Sequence, residues 1–555
     1  MKKVNIITLS IVSSLALNAV EVPNISDAIK QVTPPTIERD KPQIPVIQLQ
    51  EKDTPKEFKD GRKAKIEKII ISGAEHIDIA TLNKLVASYE HKVLSFKDIL
   101  EVTTLITKEY RSKGYFVARA YLPAQDMVEQ KNNLKINIIE GNYGEFKLEN
   151  NSLVKDSILQ GNLDSIKEAN IISTNTLERA MLIINDTPGV QVTKAEVKPG
   201  KDVGTSDFVI GTEPTKRYNG FIIADNYGSQ YTGKHRIMAG ADINSPFNIG
   251  DKLSFFGLLS EEEGLLSGRA AYSFPMYQNG LRGELSYSKT SYELGSDFQG
   301  SDYVGTSDSV AFRTTYPIIK SSLENLDIYL DTSYNYIKDE RGSEKDKKDS
   351  IVARLGTEYQ KDYVLFNKNA QSKVDFSLSV GNLSFKDKQA KDIDKDGANT
   401  QGTYSKVNLD LSQNFELTEK LRWENTLKLQ YALGNKNLDG TEDLSLGGMG
   451  GVRFYPIGEE SAENGYIYNT ELLYKLPNLQ NLNTTISMFY DVGKVHMSRN
   501  ISTENNRVLQ DIGIGLYVSY NDFFVNAHLA KNIAHEVESE KDYENKFLVQ
   551  LGWVF

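Results

Sequence analysis

The chain closes on Phe547-Leu-Val-Gln-Leu-Gly-Trp-Val-Phe555, in which every second residue is large and apolar. Side chains of a β-strand point alternately to opposite faces. A strand of about ten residues with an apolar, aromatic outer face is typical of transmembrane β-barrels, and roughly sixteen such segments can be traced back to Lys216. This pattern predicts a β-barrel of about 16 antiparallel strands over residues 216–555. The outer face of the last strand would carry Phe547, Val549, Leu551, Trp553 and Phe555.

The rest of the composition is that of an exported chain without membrane helices. Hydrophobic residues make up 39% of the chain, and the mean hydropathy is -0.42. The apolar run Val4–Val20 follows Lys2 and Lys3 and predicts a signal peptide over residues 1–19. A retained anchor helix is the alternative, but this run is short for a span, which needs ~20 apolar residues. The mature chain is therefore soluble beyond the inner membrane or a β-barrel, and the 29 Tyr and 22 Phe, concentrated in alternating segments, favour the barrel.

Composition and motifs argue against several classes of function. The chain has no Cys, which excludes disulfides and Cys-based metal or redox sites. The net charge of -11 argues against a nucleic-acid partner. The glycine run Gly447–Gly451 lacks the Gly-Lys-Ser/Thr of a phosphate loop, and the six His show no ligand spacing. We therefore expect no enzymatic activity, no cofactor and no metal centre.

One acidic segment begins like a calcium-binding loop. Asp392-Ile-Asp394-Lys-Asp396-Gly397 has the alternating acids of an EF-hand, but its twelfth position is Thr403 rather than Glu, and no flanking helix is evident. We interpret this segment as a solvated loop, with weak calcium binding as the alternative.

Upstream of the barrel the sequence divides into a short helix, a linker and two α/β units. Asn24 or Ser26 can cap a helix within residues 20–32, and Pro34-Pro35 ends it. Residues 33–63 are rich in Pro and charge, which predicts an extended linker. Residues 64–141 and 142–215 each predict the order strand, helix, helix, strand, strand.

The first unit has predicted strands Lys65–Ile71, Phe116–Leu122 and Asn133–Glu140, and predicted helices Ile79–Tyr89 and Ser95–Lys113. The second helix begins with Ser95-Phe-Lys-Asp98, which predicts a capping box. The second has predicted strands Glu145–Leu148, Gln191–Pro199 and Ser206–Thr212, with helices around Ser152–Ser165 and Asn175–Ile184. From Lys216 onward helical signals are absent. The predicted fold is therefore mainly β: a C-terminal transmembrane barrel preceded by two α/β units and an N-terminal helix.

Several segments of both halves resemble one family of exporters. In the first unit these segments are Tyr110-Arg-Ser-Lys-Gly114 and Ile138-Ile-Glu140-Gly141, and the second unit contains Asn185-Asp-Thr-Pro188-Gly189. The barrel opens with Ala224-Asp225-Asn226-Tyr227-Gly228. Together they resemble the two-partner-secretion transporters of the TpsB (ShlB/FhaC/HecB) family, in the Omp85 superfamily. The resemblance implies an outer-membrane protein of a Gram-negative bacterium with two periplasmic POTRA domains and a helix that plugs the pore.

The most distinctive element of that superfamily is a loop after the eleventh barrel strand. Its family tip is Val-Arg-Gly-Phe/Tyr, and the matching residues here are Val452-Arg453-Phe454-Tyr455, with Phe454 in the glycine position. The resemblance implies that the loop folds into the barrel and that Arg453 pairs with an acid on the wall, which corresponds to Asp491. Physical chemistry allows this, because a wide barrel has a polar lumen and the planar guanidinium of an Arg on a flexible glycine-rich loop suits a carboxylate. Without the resemblance, Arg453 would be a solvated surface charge and Asp491 an ordinary lumen-facing acid.

The function implied is export of one dedicated partner. An unfolded secreted exoprotein would reach the periplasm and add as a β-strand to an exposed sheet edge of a POTRA domain. The candidate edge is Phe116, Val117, Ala118, Arg119, Ala120, Tyr121 and Leu122. The remaining partners expected are outer-membrane lipids.

Three alternatives stay open at this point. An Omp85-type assembly factor would share the barrel and the loop, but the plug-like helix, the linker and the presence of two POTRA-like units favour secretion. A diffusion porin or a structural adhesin would have no use for residues 64–214.

Overall fold

A computed structural model describes residues 25–32, 44–49, 63–169, 171–300, 302–342, 344–479, 481–499, 507–540 and 546–555. The predicted signal peptide, residues 20–24 and most of the predicted linker lie outside these residues. The first described elements are helix α1 (Ile25–Gln31) and a two-residue strand, β1 (Gln48–Leu49). No helix within the described ranges has the length and apolar character needed to cross a membrane.

The first α/β unit has two small sheets. Its elements in chain order are β2 (Lys63–Ile66), β3 (Lys68–Ser72), α2 (Ile79–Val86), β4 (Lys92–Ser95), α3 (Phe96–Ser112), β5 (Arg119–Tyr121) and β6 (Asn133–Ile139). The prediction of one strand over Lys65–Ile71 was wrong, because the chain changes sheet at Glu67: β2 pairs with β4, and β3 pairs with β6 in the order β3-β6-β5. The prediction of a strand over Phe116–Leu122 was also too long, since only Arg119–Tyr121 is extended and paired.

The capping box predicted at the start of α3 is present. The Ser95 Oγ accepts the Asp98 N–H at 3.2 Å, and the Asp98 carboxylate accepts the Ser95 N–H at 2.7 Å. The Ser95 N–H and the Ser95 hydroxyl both donate to this carboxylate, and these two hydrogen bonds lower the Asp98 pKa. The helix then buries one stripe, which includes Ile99, Val102 and Ile106, against the sheet.

A buried carboxylate holds the end of the first unit together. Glu140 accepts hydrogen bonds from the Glu75 N–H at 2.8 Å, the His76 N–H at 3.0 Å and the Tyr110 hydroxyl at 2.8 Å. The His76 ring contacts its other oxygen at 2.5 Å. Burial alone would raise the Glu140 pKa, but these donors outweigh burial and lower it. The network fixes the segment before α2 to the point where the chain enters the second unit.

The second unit contains β7 (Asn142–Asn150), α4 (Asp156–Ser165), α5 (Thr174–Asn185), β8 (Gln191–Pro199) and β9 (Thr205–Glu213). Its sheet has the order β1-β8-β9-β7, so the linker strand β1 adds to the outer edge of β8. The pairing is parallel and joins Gln48 to Glu196 and Leu49 to Val197. A segment of the linker therefore already occupies one sheet edge of this unit.

The barrel is closed by sixteen antiparallel strands, which confirms the predicted fold class and strand number. Its strands are β10 (Tyr218–Asp225), β11 (Arg236–Asn244), β12 (Lys252–Ser260), β13 (Leu265–Pro275), β14 (Arg282–Glu293), β15 (Tyr303–Lys320), β16 (Glu324–Arg341), β17 (Glu344–Leu365), β18 (Lys368–Phe385), β19 (Gly402–Glu416), β20 (Leu421–Ala432), β23 (Asn464–Lys475), β24 (Leu482–His496), β25 (Val508–Tyr520), β26 (Phe523–Asn532) and β27 (Lys546–Val554). Two further short strands, β21 (Leu444–Ser445) and β22 (Ser461–Ala462), lie in the loop between β20 and β23.

The alternation that predicted the barrel is present in its last strand. Phe547, Leu551 and Trp553 are exposed on the outside, whereas Leu548 and Gly552 face inward and are buried. Strand lengths depart from the expected ten residues, from 8 in β10 to 22 in β17. The expectation that no helix follows Lys216 was wrong as well, because α6 (Lys388–Asp396) lies between β18 and β19.

The second unit is fastened to one rim of the barrel, which we refer to as the near end; the opposite rim is the far end. The Arg179 guanidinium donates to the carbonyl oxygen of Pro317 at 2.5 Å and to that of Ile318 at 3.3 Å. The neighbouring Glu178 accepts the Ser322 N–H at 2.7 Å. Helix α5 is therefore hydrogen-bonded to the turn between β15 and β16.

Candidate functional site

The loop between β20 and β23, residues 433–463, turns back into the barrel, and we refer to it as the lid loop. Its arms form a hairpin, because β21 and β22 pair Leu444 with Ala462 and Ser445 with Ser461. The tip beyond this hairpin is closed by the Val452 N–H, which donates to the Leu446 carbonyl at 2.6 Å. Phe454 and Tyr455 are fully buried beside it. The predicted tip residues Val452, Arg453, Phe454 and Tyr455 are thus packed inside the protein.

Two glycines let the tip fold this tightly. A Cβ atom on Gly447 would collide with the carbonyl oxygen of Pro456, and one on Gly451 would collide with that of Leu446. Neither obstacle is a side chain that could turn away, so only glycine fits. The glycine run therefore serves a compact turn rather than a flexible loop.

Arg453 projects from this tip to the barrel wall. Its Nε lies 3.0 Å from Asp491 Oδ2, and its Nη1 lies 2.8 Å from Glu471 Oε2. The guanidinium also stacks 3.9 Å from the centre of the Phe489 ring. The structure thus brings together Arg453 and Asp491, the pair that the family resemblance implied. Arg453 is 7% exposed and Asp491 is 0% exposed, so each depends on the other for charge compensation.

The wall beneath the tip presents a row of polar residues at one level. Cross-strand register places Asn469 of β23 beside Asp491 of β24, and Asp491 beside Asp511 of β25. Asn469 donates to the Gly451 carbonyl at 2.7 Å, and Asp511 accepts the Phe454 N–H at 2.5 Å. All three strands therefore hold the tip, through its backbone as well as through Arg453.

Glu471, Asp511 and Phe489 were not predicted from the sequence. A usable signal existed for the two acids, since each is an isolated carboxylate in an apolar strand at an inward-facing position. That parity predicts a lumen-facing acid, but it does not indicate the strand register that brings the acid to the lid loop.

Helix α1 occupies the lumen next to the lid loop. Its Ile25 and Ala28 are buried among residues that include Met238 and Leu258 of the wall. At its C-terminal end the Gln31 carbonyl accepts Arg236 Nη1 at 2.8 Å, and Arg236 is itself paired with Asp225 at 2.8 Å. At its other end the Ile25 N–H donates to Asp339 at 3.2 Å. The helix is therefore hydrogen-bonded to the wall at both ends.

The predicted docking edge is only partly an edge. In β5, Arg119, Ala120 and Tyr121 form the outer strand of a three-stranded sheet. The Ala120 N–H is occupied, because it donates to the Thr107 hydroxyl of α3 at 3.0 Å. Phe116 and Val117 instead pack against the core of the second unit. The remaining two residues of the predicted edge, Ala118 and Leu122, flank β5; Ala118 is fully buried, and Leu122 packs partly buried against the core of the first unit.

Two groups of acids were considered as metal ligands. The segment predicted as a solvated loop, Asp392–Gly397, is largely helical in α6, and the Asp394 carboxylate accepts the N–H groups of Thr400 and Gln401. Elsewhere in the described residues, Glu75, His76 and Glu140 place ligand atoms within 4.8 Å of one another. The Glu140 carboxylate is already engaged by the hydrogen bonds given above, so we interpret this group as structural.

Comparison with known proteins places both halves of the chain. Residues 204–518 match the family described as haemolysin secretion/activation protein ShlB/FhaC/HecB, and residues 64–141 match the ShlB-type POTRA domain. The chain is 26% identical over 499 residues to the heme/hemopexin transporter protein HuxB of Haemophilus influenzae strain 86-028NP, covering 88% of this chain and 87% of HuxB.

Solved structures show the same fold. CdiB from Escherichia coli superposes with a TM-score of 0.73 at 19% identity, covering 96% of this chain and 95% of CdiB. BamA from Haemophilus ducreyi lacking POTRA domains 1-3 gives a TM-score of 0.52 at 15% identity, covering 89% of this chain and 100% of that one.

Proposed function

The chain belongs to the ShlB/FhaC/HecB family of outer-membrane two-partner-secretion transporters, and from that premise we propose that it carries one unfolded partner exoprotein from the periplasm through its barrel to the cell surface. Transporters of this family work with secreted partner proteins. The near end of the barrel, with the two α/β units, faces the periplasm, and the far end faces the outside. The apolar outer face of the barrel contacts outer-membrane lipids, and no nucleic acid takes part.

One observation carries this proposal: α1 and the lid loop lie in the lumen and contact its wall. The lid loop and α1 are both held by side-chain hydrogen bonds and ion pairs rather than by strand pairing with the wall. The predicted linker joins helix α1 to the units outside the barrel. Up to β1, which is paired with β8, it has the 15 residues 33–47, each of which could extend by up to ~3.3 Å. That reach exceeds the thickness of a bilayer core, about 30 Å. The helix can therefore leave the pore while it stays attached.

No motif for nucleotide use is present in the sequence, so we propose that folding of the partner outside the cell supplies the drive. An unfolded chain that emerges at the far end and folds there cannot slide back. This mechanism needs only a polar path, and the inward-facing residues of the wall, such as Ser377 and Ser379, provide one.

Cysteine crosslinking tests directly whether the partner passes through the lumen. The chain has no native Cys, so any crosslink comes from the introduced residue. Ser379 of β18 is fully buried and faces inward, whereas the adjacent Leu378 is 40% exposed on the outer face. With a partner exoprotein stalled in transit by a folded domain fused to its C-terminus, Ser379→Cys should form a crosslink to single cysteines in the partner. Leu378→Cys is the matched control and should form none. Equal crosslinking at both positions, or none at Ser379→Cys with a stalled partner present, would argue against transit through the barrel.

Two sheet edges are candidates for docking the partner. The edge Phe116–Leu122 remains a proposal only for the three residues Arg119, Ala120 and Tyr121 that form β5. The second candidate is the outer edge of β8, which accommodates an added strand here, since β1 pairs with it in parallel. Because one edge can pair with only one strand at a time, a partner that docks on β8 must first displace Gln48 and Leu49.

A photo-crosslinking residue at Tyr121 of β5 or at Glu196 of β8 distinguishes these edges. We expect the partner's N-terminal segment to crosslink at position 196. The double substitution Gln48→Pro/Leu49→Pro removes the N–H donors of β1 and should raise that yield about fivefold, the effect of one net hydrogen bond of roughly 1 kcal/mol. Crosslinking at position 121 alone, unaffected by the prolines, would assign docking to β5 instead.

The alternative function is that of an Omp85-type assembly factor, which inserts other barrels into the membrane. Its barrel and lid loop would be the same. The α1 helix in the lumen favours secretion, because a removable helix in the pore is useful where a substrate must pass through that pore.

A further inference from the structure

The returning arm of the lid loop, which leads from the tip back to β23, is held at a second place, separate from Arg453. Glu459, in the returning arm, has a side chain that is fully buried. Its carboxylate accepts the N–H groups of Glu538 at 2.9 Å and Ser539 at 3.1 Å, and the Ser539 hydroxyl at 2.5 Å. These donors belong to the far-end loop between β26 and β27. The lid loop is therefore fixed to a neighbouring loop as well as to the wall.

Arg507 completes this attachment from a third loop, the one that precedes β25. Its Nη2 lies 2.8 Å from Glu459, its Nε lies 2.5 Å from Glu460, and its Nη1 lies 2.9 Å from Glu538. Its side chain is 13% exposed, and the Glu460 side chain is 6% exposed. One guanidinium thus joins carboxylates of two loops. We refer to Glu459, Glu460, Arg507 and residues 538–539 as the outer knot.

The outer knot is distinct in position and chemistry from the contacts at the tip. The tip binds inward-facing residues of β23, β24 and β25, whereas the ion pairs and hydrogen bonds given above for the knot join loops at the far end. Between the two, the Tyr455 hydroxyl donates to the His535 carbonyl at 2.6 Å, so the arm is attached along its length. On its other side, Gly458 lies against Asp27 of α1. The arm therefore contacts α1 at Gly458 and takes part in the knot at the next residue, Glu459.

We propose that Glu459 and Arg507 are positioning residues that set the closed state of the lid loop, so that release of the Arg453 contacts alone does not open the pore. The inference rests on the proposed function only in taking the lid loop to move during export. Truncation of Arg507 would leave the buried carboxylates of Glu459 and Glu460 without their cation. Unpaired carboxylates raise the free energy of the closed loop, in which they are buried, and they raise it little in the open loop, in which they are solvated. The substitution therefore shifts the equilibrium toward the open loop.

A single-thiol assay tests this without reference to any partner. Val452→Cys places a nearly isosteric reporter at a fully buried position of the tip in a chain that has no other thiol. Arg507→Met in this background should raise the rate of maleimide labelling more than about tenfold, because truncating one member of a buried charge pair shifts an equilibrium by at least that factor. Arg422→Met is the matched control, since Arg422 pairs with Glu424 on the wall at 52% exposure, and labelling should stay within about twofold.

Heat-modifiable migration in gels verifies that each variant has a folded barrel. A labelling rate for folded Arg507→Met within about twofold of the parent would overturn the proposal, as would an equal rise in Arg422→Met. If Arg507→Met fails to fold, the second test below decides.

The second test locks the outer knot with a covalent crosslink instead of removing one of its residues. Cysteines at positions 460 and 538, whose carboxylates share the Arg507 guanidinium, are joined by a cleavable bismaleimide. The crosslinked protein should lose both its large single-channel openings and its export, and cleavage of the linker should restore both. Full-size openings with the crosslink intact would refute the knot as a restraint. Loss of openings with unchanged export would instead contradict the proposed function and leave the knot standing.

Discussion

Arg453→Ala is expected to abolish most export while the barrel still inserts and folds. The substitution removes the cation between Asp491 and Glu471, which are 0% and 8% exposed. Leaving buried charges uncompensated costs roughly 3–5 kcal/mol, enough to displace the tip from the wall. The sixteen strands keep their pairing, since Arg453 belongs to none of them. We therefore expect the amount of exported partner to fall more than about tenfold, with normal heat-modifiable migration of the barrel.

Arg313→Ala is the control for this prediction. Arg313 also faces the lumen and pairs with Glu358 at 2.5 Å and Asp331 at 3.4 Å, and both of these partners belong to wall strands rather than to the lid loop. Export by this variant should stay close to that of the parent. Arg453→Lys should be intermediate, because it keeps the charge and loses the planar fork that engages two carboxylates at once. Export by Arg453→Ala at the level of the parent would show that the contact between the lid loop and the wall is dispensable.

Removal of the plug helix, residues 24–32, is expected to raise the ion conductance of the purified protein severalfold and to leave export largely intact. Helix α1 lies inside the lumen, and a helix with its side chains is about 10–12 Å wide. Its removal leaves an open path of that order beside the lid loop. Its contacts with Asp339 and Arg236 involve the wall alone and are not needed for strand pairing.

Deletion of residues 51–59 is the control of equal length. It shortens the linker and keeps the helix, so the conductance should remain that of the parent. Single-channel recordings in planar bilayers separate the two variants. Unchanged conductance after removal of residues 24–32 would mean that the helix does not block the pore, whereas loss of export would assign it a role in transport itself.

The sequence predicted what depends on periodicity and local caps. Alternation along Phe547–Phe555 identified a barrel strand, and Ser95 and Asp98 identified a helix start. Both patterns depend only on residues that are close together in the sequence. The same reasoning missed α6, whose charged sequence has no apolar stripe, and it missed β1, which has two residues and exists only through its pairing with β8.

The candidate site was predictable only in part for the same physical reason. Arg453 and Asp491 were found through a motif, and the alternation of β24 places Asp491 on the inside. Glu471 and Asp511 reach the tip because the register of β23 and β25 against β24 places them there, and register is set by turns and by packing over the whole sheet. The split of Lys65–Ile71 into β2 and β3 is similar, since each half pairs with a strand distant in sequence.

The most direct measurement of the central claim compares the surface and culture-supernatant proteins of the parent strain with those of a strain that lacks this chain. A dedicated exporter predicts the loss of one large secreted protein, restored by the parent chain and not by Arg453→Ala, with other outer-membrane barrels unchanged. Depletion of many barrels together would contradict the account and identify an assembly factor, and an unchanged set of secreted proteins would contradict export altogether.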